Sequence, residues 1–130
     1  MIKHSKKETG DIGEKYAAKY LKHHDCRIME QNYRKPYGEI DIIARDGNYL
    51  LFVEVKTRRE NTMTQPYEAV TRSKQQRIIK TAYAYLREKK IDCYCRFDVI
   101  EVFVDPDTLK LLRVNYIENA FEAGDYHARY

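Results

Sequence analysis

The residue types that could carry chemistry lie on two neighbouring segments with strand-like patterns. Asp41 lies in Glu39 to Ala44, and Glu54 and Lys56 lie in Tyr49 to Lys56. Hard divalent cations such as Mg²⁺ bind oxygen ligands, often one or two carboxylates completed by a substrate phosphate. A lysine beside such a cation can contact a scissile phosphate or orient the attacking water. If they converge, the three side chains predict a Mg²⁺ or Mn²⁺ site for phosphodiester chemistry.

The turn between the two strands decides how closely the acids approach each other. The connection Arg45 to Asn48 contains Asp-Gly and Gly-Asn pairs, which both favour tight hairpins. A turn centred on Gly47-Asn48 pairs Asp41 with Glu54, with β-carbons about 4.5 to 5.5 Å apart. A turn one residue earlier pairs Asp41 with Phe52 and leaves Glu54 on the diagonal, about 7 to 8 Å away. Both registers place the two carboxylates on one face.

Facing carboxylates repel each other, so this hairpin needs a cation, a proton or a lysine nearby. A metal ion meets that need, and the structural alternative is a cross-strand salt bridge of Lys56 with Asp41 and Glu54. Glu14 adds a third acid, because it lies on the apolar side of the first candidate helix and points near the sheet. The alternative for Glu14 is an acid of the first helical turn, stabilised by the helix dipole.

The rest of the pattern predicts two helices and five strands in a single domain, residues 1–130. Periodicity places one helix from about Asp11 to His24, and Ser73 with Gln76 predicts the cap of a second helix that ends near Lys89. The order αβββαββ predicts an α/β fold, an α+β sandwich with a mixed sheet, because the second helix allows a parallel crossover. The other predicted segments are the strands Arg27 to Tyr33, Glu39 to Ala44, Tyr49 to Lys56, Arg96 to Val104 and Leu109 to Val114, and a loop from Thr57 to Pro66.

Positive charge is concentrated in the first part of the chain. Residues 1–90 carry 20 Lys and Arg against 12 Asp and Glu, whereas residues 91–130 carry 4 against 8. This excess predicts a polyanionic partner such as nucleic acid, with an ordinary solvated surface as the alternative for each residue. The candidate phosphate-binding residues flank the hairpin or begin the second helix: Arg34, Lys35, Arg58, Arg59, Arg72, Lys74 and Arg77.

Composition and cysteine usage exclude several classes of protein. The longest apolar run, Tyr49 to Val53, is far short of the roughly 20 residues of a spanning helix, and no signal-peptide pattern begins the chain. Three cysteines are an odd number for a disulfide framework, and Cys93-x-Cys95 lacks the further ligands of a zinc site. We therefore expect a cytoplasmic protein with reduced thiols and no membrane contact.

Several motifs together resemble the bacterial YraN-like family, over roughly Gly10 to Val102. They are Gly10-x-x-Gly13-Glu14-x-x-Ala17, Asn32-Tyr33-Arg34, Gly38-Glu39-Ile40-Asp41-Ile42-Ile43, Phe52-Val53-Glu54-Val55-Lys56-Thr57-Arg58, Glu68-Ala69-Val70 and Arg96-Phe97-Asp98-Val99-Ile100. That family is similar to the PD-(D/E)xK nuclease superfamily, close to the archaeal Holliday junction resolvases. The resemblance implies a restriction-endonuclease-like core.

The resemblance also implies roles for individual residues. The motif aspartate falls on Asp41, the acid and lysine of the E-x-K element on Glu54 and Lys56, and the acid of the first helix on Glu14. Ile40 stands where the motif has proline, which weakens the pattern without removing a ligand. No catalytic position is substituted.

The combined interpretation is a Mg²⁺-dependent or Mn²⁺-dependent endonuclease that hydrolyses phosphodiester bonds in DNA, with branched DNA as one candidate substrate. Asp41, Glu54 and the Val55 carbonyl would hold the metal, Glu14 would support it directly or through water, and Lys56 would activate or orient water. One alternative is a non-catalytic nucleic-acid-binding module that keeps the fold, and another is an interaction subunit with a structural acid cluster. The sequence leaves open whether two chains pair as a homodimer to cut two strands.

Overall fold

A mixed five-stranded sheet carries one helix on each face. The computed structural model describes residues 3–59 and 70–123. The strands lie across the sheet in chain order, with β3 and β4 parallel and the other neighbours antiparallel. The predicted α+β class and αβββαββ order are confirmed, and the arrangement is consistent with a restriction-endonuclease-like core. The elements are α1 (Lys6–His23), β1 (Arg27–Lys35), β2 (Gly38–Asp46), β3 (Tyr49–Arg59), α2 (Arg72–Lys89), β4 (Tyr94–Val104) and β5 (Leu111–Phe121).

The central strand β3 is buried on both faces. Leu50 and Phe52 pack in the apolar cluster that includes α2, whereas Leu51 and Val53 pack in the cluster that includes α1. All four side chains are at most 1% exposed. A strand covered on both sides can be apolar at every position, which explains why this stretch does not alternate in polarity.

The helix α1 begins at Lys6, five residues before the predicted start. The hydroxyl of Ser5 accepts the Glu8 N–H over 3.0 Å, and the Glu8 carboxylate accepts the Ser5 N–H over 3.2 Å. This reciprocal capping box satisfies two backbone donors, although the polar first turn gives no apolar period that would reveal it. Within the described residues, no helix combines the length and apolar character needed to cross a bilayer.

Two further predicted boundaries were wrong. Thr71, and not Ser73, caps α2, because the Thr71 hydroxyl accepts the Lys74 N–H over 3.2 Å. Residues 57–59 were predicted to begin a loop, but they continue β3 and pair with β4 as far as Arg59 and Val104. Residues 60–66 of that predicted loop lie outside the described part of the chain.

The last strand, β5, extends seven residues beyond its predicted end at Val114. Its polar residues satisfy acids that are buried on β4. The Asn115 side chain donates to Glu101 over 2.8 Å, and the Asn119 N–H donates to Asp98 over 2.8 Å. Asp98 and Glu101 are 1% and 2% exposed, so these bonds compensate for the loss of hydration.

Candidate functional site

The hairpin of β2 and β3 adopts the first of the two predicted registers. Asp46 pairs with Tyr49 across a two-residue turn, and the pairing continues to Ile42 with Val53. Gly47 provides the positive φ of 58° that the turn requires. Continued by one regular step, this register would bring Asp41 opposite Glu54.

The backbone ladder changes at Asp41. In a regular hairpin of this register, the next hydrogen-bonded pair would be Ile40 with Val55, but the Val55 N–H donates instead to Asp41 Oδ2 over 2.8 Å. Ile40 and Ile43 both pack in the cluster with α2 although they are three residues apart, so the alternation of faces is broken between them. The carboxylate of Asp41 therefore lies in the space where β2 and β3 separate.

The environment of Asp41 disfavours its ionised form. Its pKa is raised from 3.8 to about 7, chiefly by burial and next by the negative charge of Glu54. The N–H of Val55 acts in the opposite direction because it stabilises the carboxylate. Asp41 and Glu54 are thus electrostatically coupled, and a positive charge placed between them would favour the ionised pair.

Glu54 already has one positive partner, which comes from α2. The Lys74 Nζ atom lies 2.7 Å from Glu54 Oε1, with the Glu54 side chain 11% exposed and the Lys74 side chain 46% exposed. Lys74 was predicted to contact nucleic acid. Its ion pair with Glu54 was not predicted. The lysine that pairs with Glu54 is therefore Lys74 and not Lys56.

Lys56 is half-buried two residues beyond Glu54, where β3 pairs with Glu101 of β4. Residues 3–59 and 70–123 offer it no hydrogen bond or ion pair, so the salt bridge of Lys56 with Asp41 and Glu54 is not formed. Strand alternation places Lys56 on the same face as Glu54, which is the face towards α2. Among residues 3–59 and 70–123, its ammonium group has no counter-ion on that face.

Glu14 approaches the site from α1, on the opposite side of the sheet. It is half-buried, and its side chain is hydrogen-bonded to Asn32 of β1. Burial is the largest cause of its raised pKa, followed by the charges of Asp11 and Glu39, whereas the bond with Asn32 lowers the pKa. Because α1 begins at Lys6, Glu14 lies in the third turn, and its interpretation as a first-turn acid was wrong.

Asn32 is a residue of this region that was not predicted from the sequence. It has a φ of +52° in the middle of β1, a conformation that asparagine adopts more readily than most residues with a side chain. The signal in the sequence was an asparagine within a strand pattern, next to Tyr33 in the family motif. Its contact with Glu14 links α1 to the strand beside Asp41.

Asp41 and Glu54 line a cavity of about 530 Å³ between the first residues of β2 and the start of α2. Glu14, Val55 and Lys56 are not among the residues of its wall, and Glu39 adds an acid that was not predicted. The residues that line it are Arg34, Lys35, Pro36, Tyr37, Gly38, Glu39, Asp41, Glu54, Lys74, Arg77 and Ile78.

Four of the seven predicted phosphate-binding residues line this cavity, namely Arg34, Lys35, Lys74 and Arg77. Arg34 is 70% exposed and pairs with Glu39 over 3.2 Å. Arg72 is exposed at the first position of α2 but does not line the cavity.

Arg58 and Arg59 are engaged elsewhere. The Arg58 Nε atom donates to Glu101 Oε2 over 2.8 Å, and Arg59 donates to the backbone carbonyl of His4 over 3.3 Å. Arg58 therefore neutralises a buried acid of β4, and neither residue belongs to the cavity with Asp41.

Comparison with known proteins places the chain in a family. A family model described as "Uncharacterised protein family UPF0102" matches residues 13–102. The chain belongs to this family. A UPF0102 protein of Caldanaerobacter subterraneus subsp. tengcongensis is 46% identical over 122 residues, which cover 93% of this chain and 100% of that protein. A UPF0102 protein of Syntrophus aciditrophicus is 49% identical over 115 residues, covering 88% of each chain.

The donor set of this UPF0102 chain fits a hard cation that is only partly coordinated by protein. No three His, Cys, Asp or Glu side chains within the described ranges are grouped to hold a metal ion. Glu14 therefore does not complete a three-acid cluster with Asp41 and Glu54, and any support from it would pass through water. Mg²⁺ commonly uses one or two carboxylates together with water and phosphate, which is the set that these two acids allow.

The backbone carbonyl of Val55 lies on the same side of β3 as its N–H, although Val55 does not line the cavity. In an antiparallel strand the N–H and C=O of one residue point to the same side, and the Val55 N–H points to Asp41. The thiols offer no comparable site in this UPF0102 chain. Cys26, Cys93 and Cys95 are free, and burial raises the pKa of Cys95 to about 12.

Proposed function

We propose that this UPF0102 protein is a divalent-metal-dependent phosphodiesterase of the PD-(D/E)xK type that acts on DNA. The observation that carries the proposal is the convergence of Asp41 and Glu54 just beyond the last β2–β3 pair, Ile42 with Val53, in a cavity that also contains Arg34, Lys74 and Arg77. Acids that face each other destabilise a hairpin, so their convergence favours a role that uses their charge.

The two acids would hold the ion together. Asp41 would give up its proton as the cation binds, because positive charge favours its ionised form. The Val55 carbonyl would supply a further oxygen, and Glu14 would contact the coordination shell through water. A cation in this position supplies stabilisation of the charge that develops on the phosphate.

The start of α2 supports an anionic substrate. Helix N-termini favour acidic residues because of the helix dipole, yet the first turn of α2 contains no acid. It carries Arg72 and Lys74 instead, and Arg77 follows one turn later. Basic residues at a helix N-terminus are unfavourable with respect to the helix dipole. Binding of a phosphate backbone at this end of α2 would explain why they are there.

Lys56 would act on the attacking water. It shares the face of Glu54, is half-buried, and has no ion-pair partner in residues 3–59 or 70–123. A lysine held beside the cation and the scissile phosphate can orient water or contact the phosphate. Lys74 differs, because it is bound to Glu54.

The second candidate is a nucleic-acid-binding module without catalysis. The observation that favours it is the Glu54–Lys74 ion pair, which already compensates one acid at 2.7 Å. In that case the basic residues would bind DNA whether or not a metal is present.

The test is an assay of purified protein with branched, nicked and single-stranded DNAs in Mg²⁺ or Mn²⁺. We expect metal-dependent cleavage that Asp41→Ala, Glu54→Ala and Lys56→Ala each abolish, with much of the DNA affinity retained in the two acid variants. Asp92→Ala, which removes an exposed acid in the connection after α2, is the matched control and should cleave normally. Cleavage that survives in the acid variants would show that a contaminant or another site is responsible. DNA binding without cleavage in any metal would support the second candidate.

A further inference from the structure

The ion pair between Lys74 and Glu54 joins two groups with different freedom to move. Glu54 is fixed on β3 and 11% exposed, whereas Lys74 is 46% exposed at the start of α2 and reaches Glu54 Oε1 with its terminal atom at 2.7 Å. A lysine has a flexible four-carbon stem, so its ammonium group can leave without a change in the helix. Glu54 would then stay in position while another cation replaces Lys74 as its partner.

The position of Lys74 in the helix does not itself require this contact. The Lys74 backbone N–H is bound by the Thr71 cap, so α2 is capped whether or not the side chain meets Glu54. A positive side chain in the first turn is unfavourable with respect to the helix dipole. The contact instead stabilises the charge of Glu54, which is a mostly buried carboxylate beside Asp41 and needs a positive charge nearby.

We propose that Lys74 is a built-in counter-ion, which a divalent cation displaces from Glu54 and which then contacts the phosphate of the bound substrate. The inference rests on the proposed metal site of Asp41 and Glu54. The Lys74 ammonium group and a metal ion would compete for the Glu54 carboxylate, so each would weaken the binding of the other. Lys74 lines the same cavity as Arg34 and Arg77, and the released group would remain among phosphate-binding residues.

This competition predicts that removal of the lysine charge tightens the binding of metal. We would titrate wild type, Lys74→Gln and Lys74→Arg with Mn²⁺ and measure free Mn²⁺ by electron paramagnetic resonance. Lys74→Gln should bind Mn²⁺ roughly threefold to tenfold more tightly than wild type. Lys74→Arg keeps the positive charge and should stay near the wild-type affinity.

Arg72→Gln is the matched control for charge. It removes one positive charge from the same turn of α2, at an exposed residue that does not line the cavity. Its Mn²⁺ affinity should change by less than about twofold, because an exposed charge at longer range is screened by solvent. A change as large as that of Lys74→Gln would overturn the proposal in favour of a general effect of net charge.

A direct measurement follows the displaced group. Reductive methylation with ¹³C keeps the lysine charges, and the Lys74 signal is identified by its absence from Lys74→Arg. Addition of Mg²⁺ should shift the Lys74 signal and leave that of Lys89, at the other end of α2, unchanged. A Lys74 signal that does not move while Mg²⁺ binds would overturn the proposal.

The outcomes separate this inference from the proposed function. Equal Mn²⁺ affinity in wild type and Lys74→Gln would overturn the counter-ion role and leave the metal site intact. Binding to Lys74→Gln alone would support the counter-ion role in its strongest form. No binding to either protein would overturn the metal site and the counter-ion role with it.

Discussion

The Oγ1 atom of Thr57 occupies the space that a side chain at Gly13 would need. A β-carbon on Gly13 would lie 1.7 Å from Thr57 Oγ1, far inside van der Waals contact. The next residue of α1 is Glu14, and Thr57 follows Lys56 on β3. The close approach of helix and strand at this point therefore brings the acid of α1 towards the end of β3 that carries the site.

Gly13→Ala should destabilise the protein by roughly 1–3 kcal/mol, because the added methyl group forces α1 away from β3. Gly10→Ala is the matched control in the same helix, since a β-carbon there meets no atom within 4 Å. That variant should be as stable as wild type or up to about 1 kcal/mol more stable, because alanine favours the helix. Urea unfolding of both variants measures the difference, and equal stabilities would contradict the tight packing of α1.

Asp41→Asn should make stability less sensitive to pH. The pKa of Asp41 is about 7 in the folded protein and near 3.8 when unfolded, so its ionisation costs stability progressively as pH rises between these values. The amide can still accept the Val55 N–H, and it never ionises. At pH 8 and without metal, the variant should be more stable by up to about 4 kcal/mol, with the gain from ionisation vanishing below about pH 4. Urea unfolding at several pH values measures this trend.

Asp105→Asn gives the opposite trend and serves as the control. The pKa of Asp105 is lowered by hydrogen bonds from the N–H groups of Thr108 and Asp107, so its charge stabilises the folded state. That contribution is present above the unfolded pKa and is lost as pH falls through the folded pKa. The variant should lose stability at neutral pH and approach wild type in acid. The same trend in both variants would contradict the environment assigned to Asp41.

Asn32→Ala and Asn32→Gly should separate backbone strain from the bond with Glu14. Both remove the amide that lowers the pKa of Glu14, so that pKa should rise further in each, as followed by ¹³C NMR of the carboxyl. Only alanine brings a β-carbon to the φ of +52°, which should make it about 1 kcal/mol less stable than glycine in urea unfolding. A Glu14 pKa that stays constant in both variants would show that Asn32 does not position this acid.

Arg58→Gln and Arg77→Gln should separate folding from binding. Arg58 neutralises Glu101, which is 2% exposed, and its loss should cost roughly 3 kcal/mol of stability with little effect on DNA affinity. Arg77 is exposed and lines the cavity, so its loss should leave stability unchanged and weaken DNA binding. Counterion release predicts that the dependence of log affinity on log salt becomes less steep by about one for Arg77→Gln. Thermal unfolding and fluorescence anisotropy at several salt concentrations measure the two effects.

The sequence predicted the hairpin well because residues close together in the chain determine its turn and its register. The Asp-Gly-Asn turn allowed two registers, and the one that forms places Asp46 against Tyr49. The true cap of α2 was missed because Thr71 and Ser73 offer the same chemistry two residues apart. β5 appeared to end at Val114 because the acids of β4 that bind Asn115 and Asn119 come from a distant segment.

The candidate site was predictable to the extent that single strands determine it. Alternation and turn chemistry brought Asp41 and Glu54 together without knowledge of the helices. The partner of Glu54 could not be predicted, because Lys74 reaches it only after α2 has docked against the sheet. In the same way, Arg58 resembles a surface cation in the sequence, and only the register of β3 and β4 brings it near Glu101.

The parallel pairing of β3 with β4 also orders the events by which the chain folds. Asp46 and Tyr49 meet across a loop of two residues, whereas Glu54 and Val99 must close one of more than forty. Short loops close faster and lose less entropy, so the hairpin has a kinetic advantage over the crossover. The carboxylates would be brought together early, and Lys74 would reach Glu54 only when α2 docks against the sheet. During synthesis, the nascent chain would thus bring its two acids together before Lys74 can pair with Glu54.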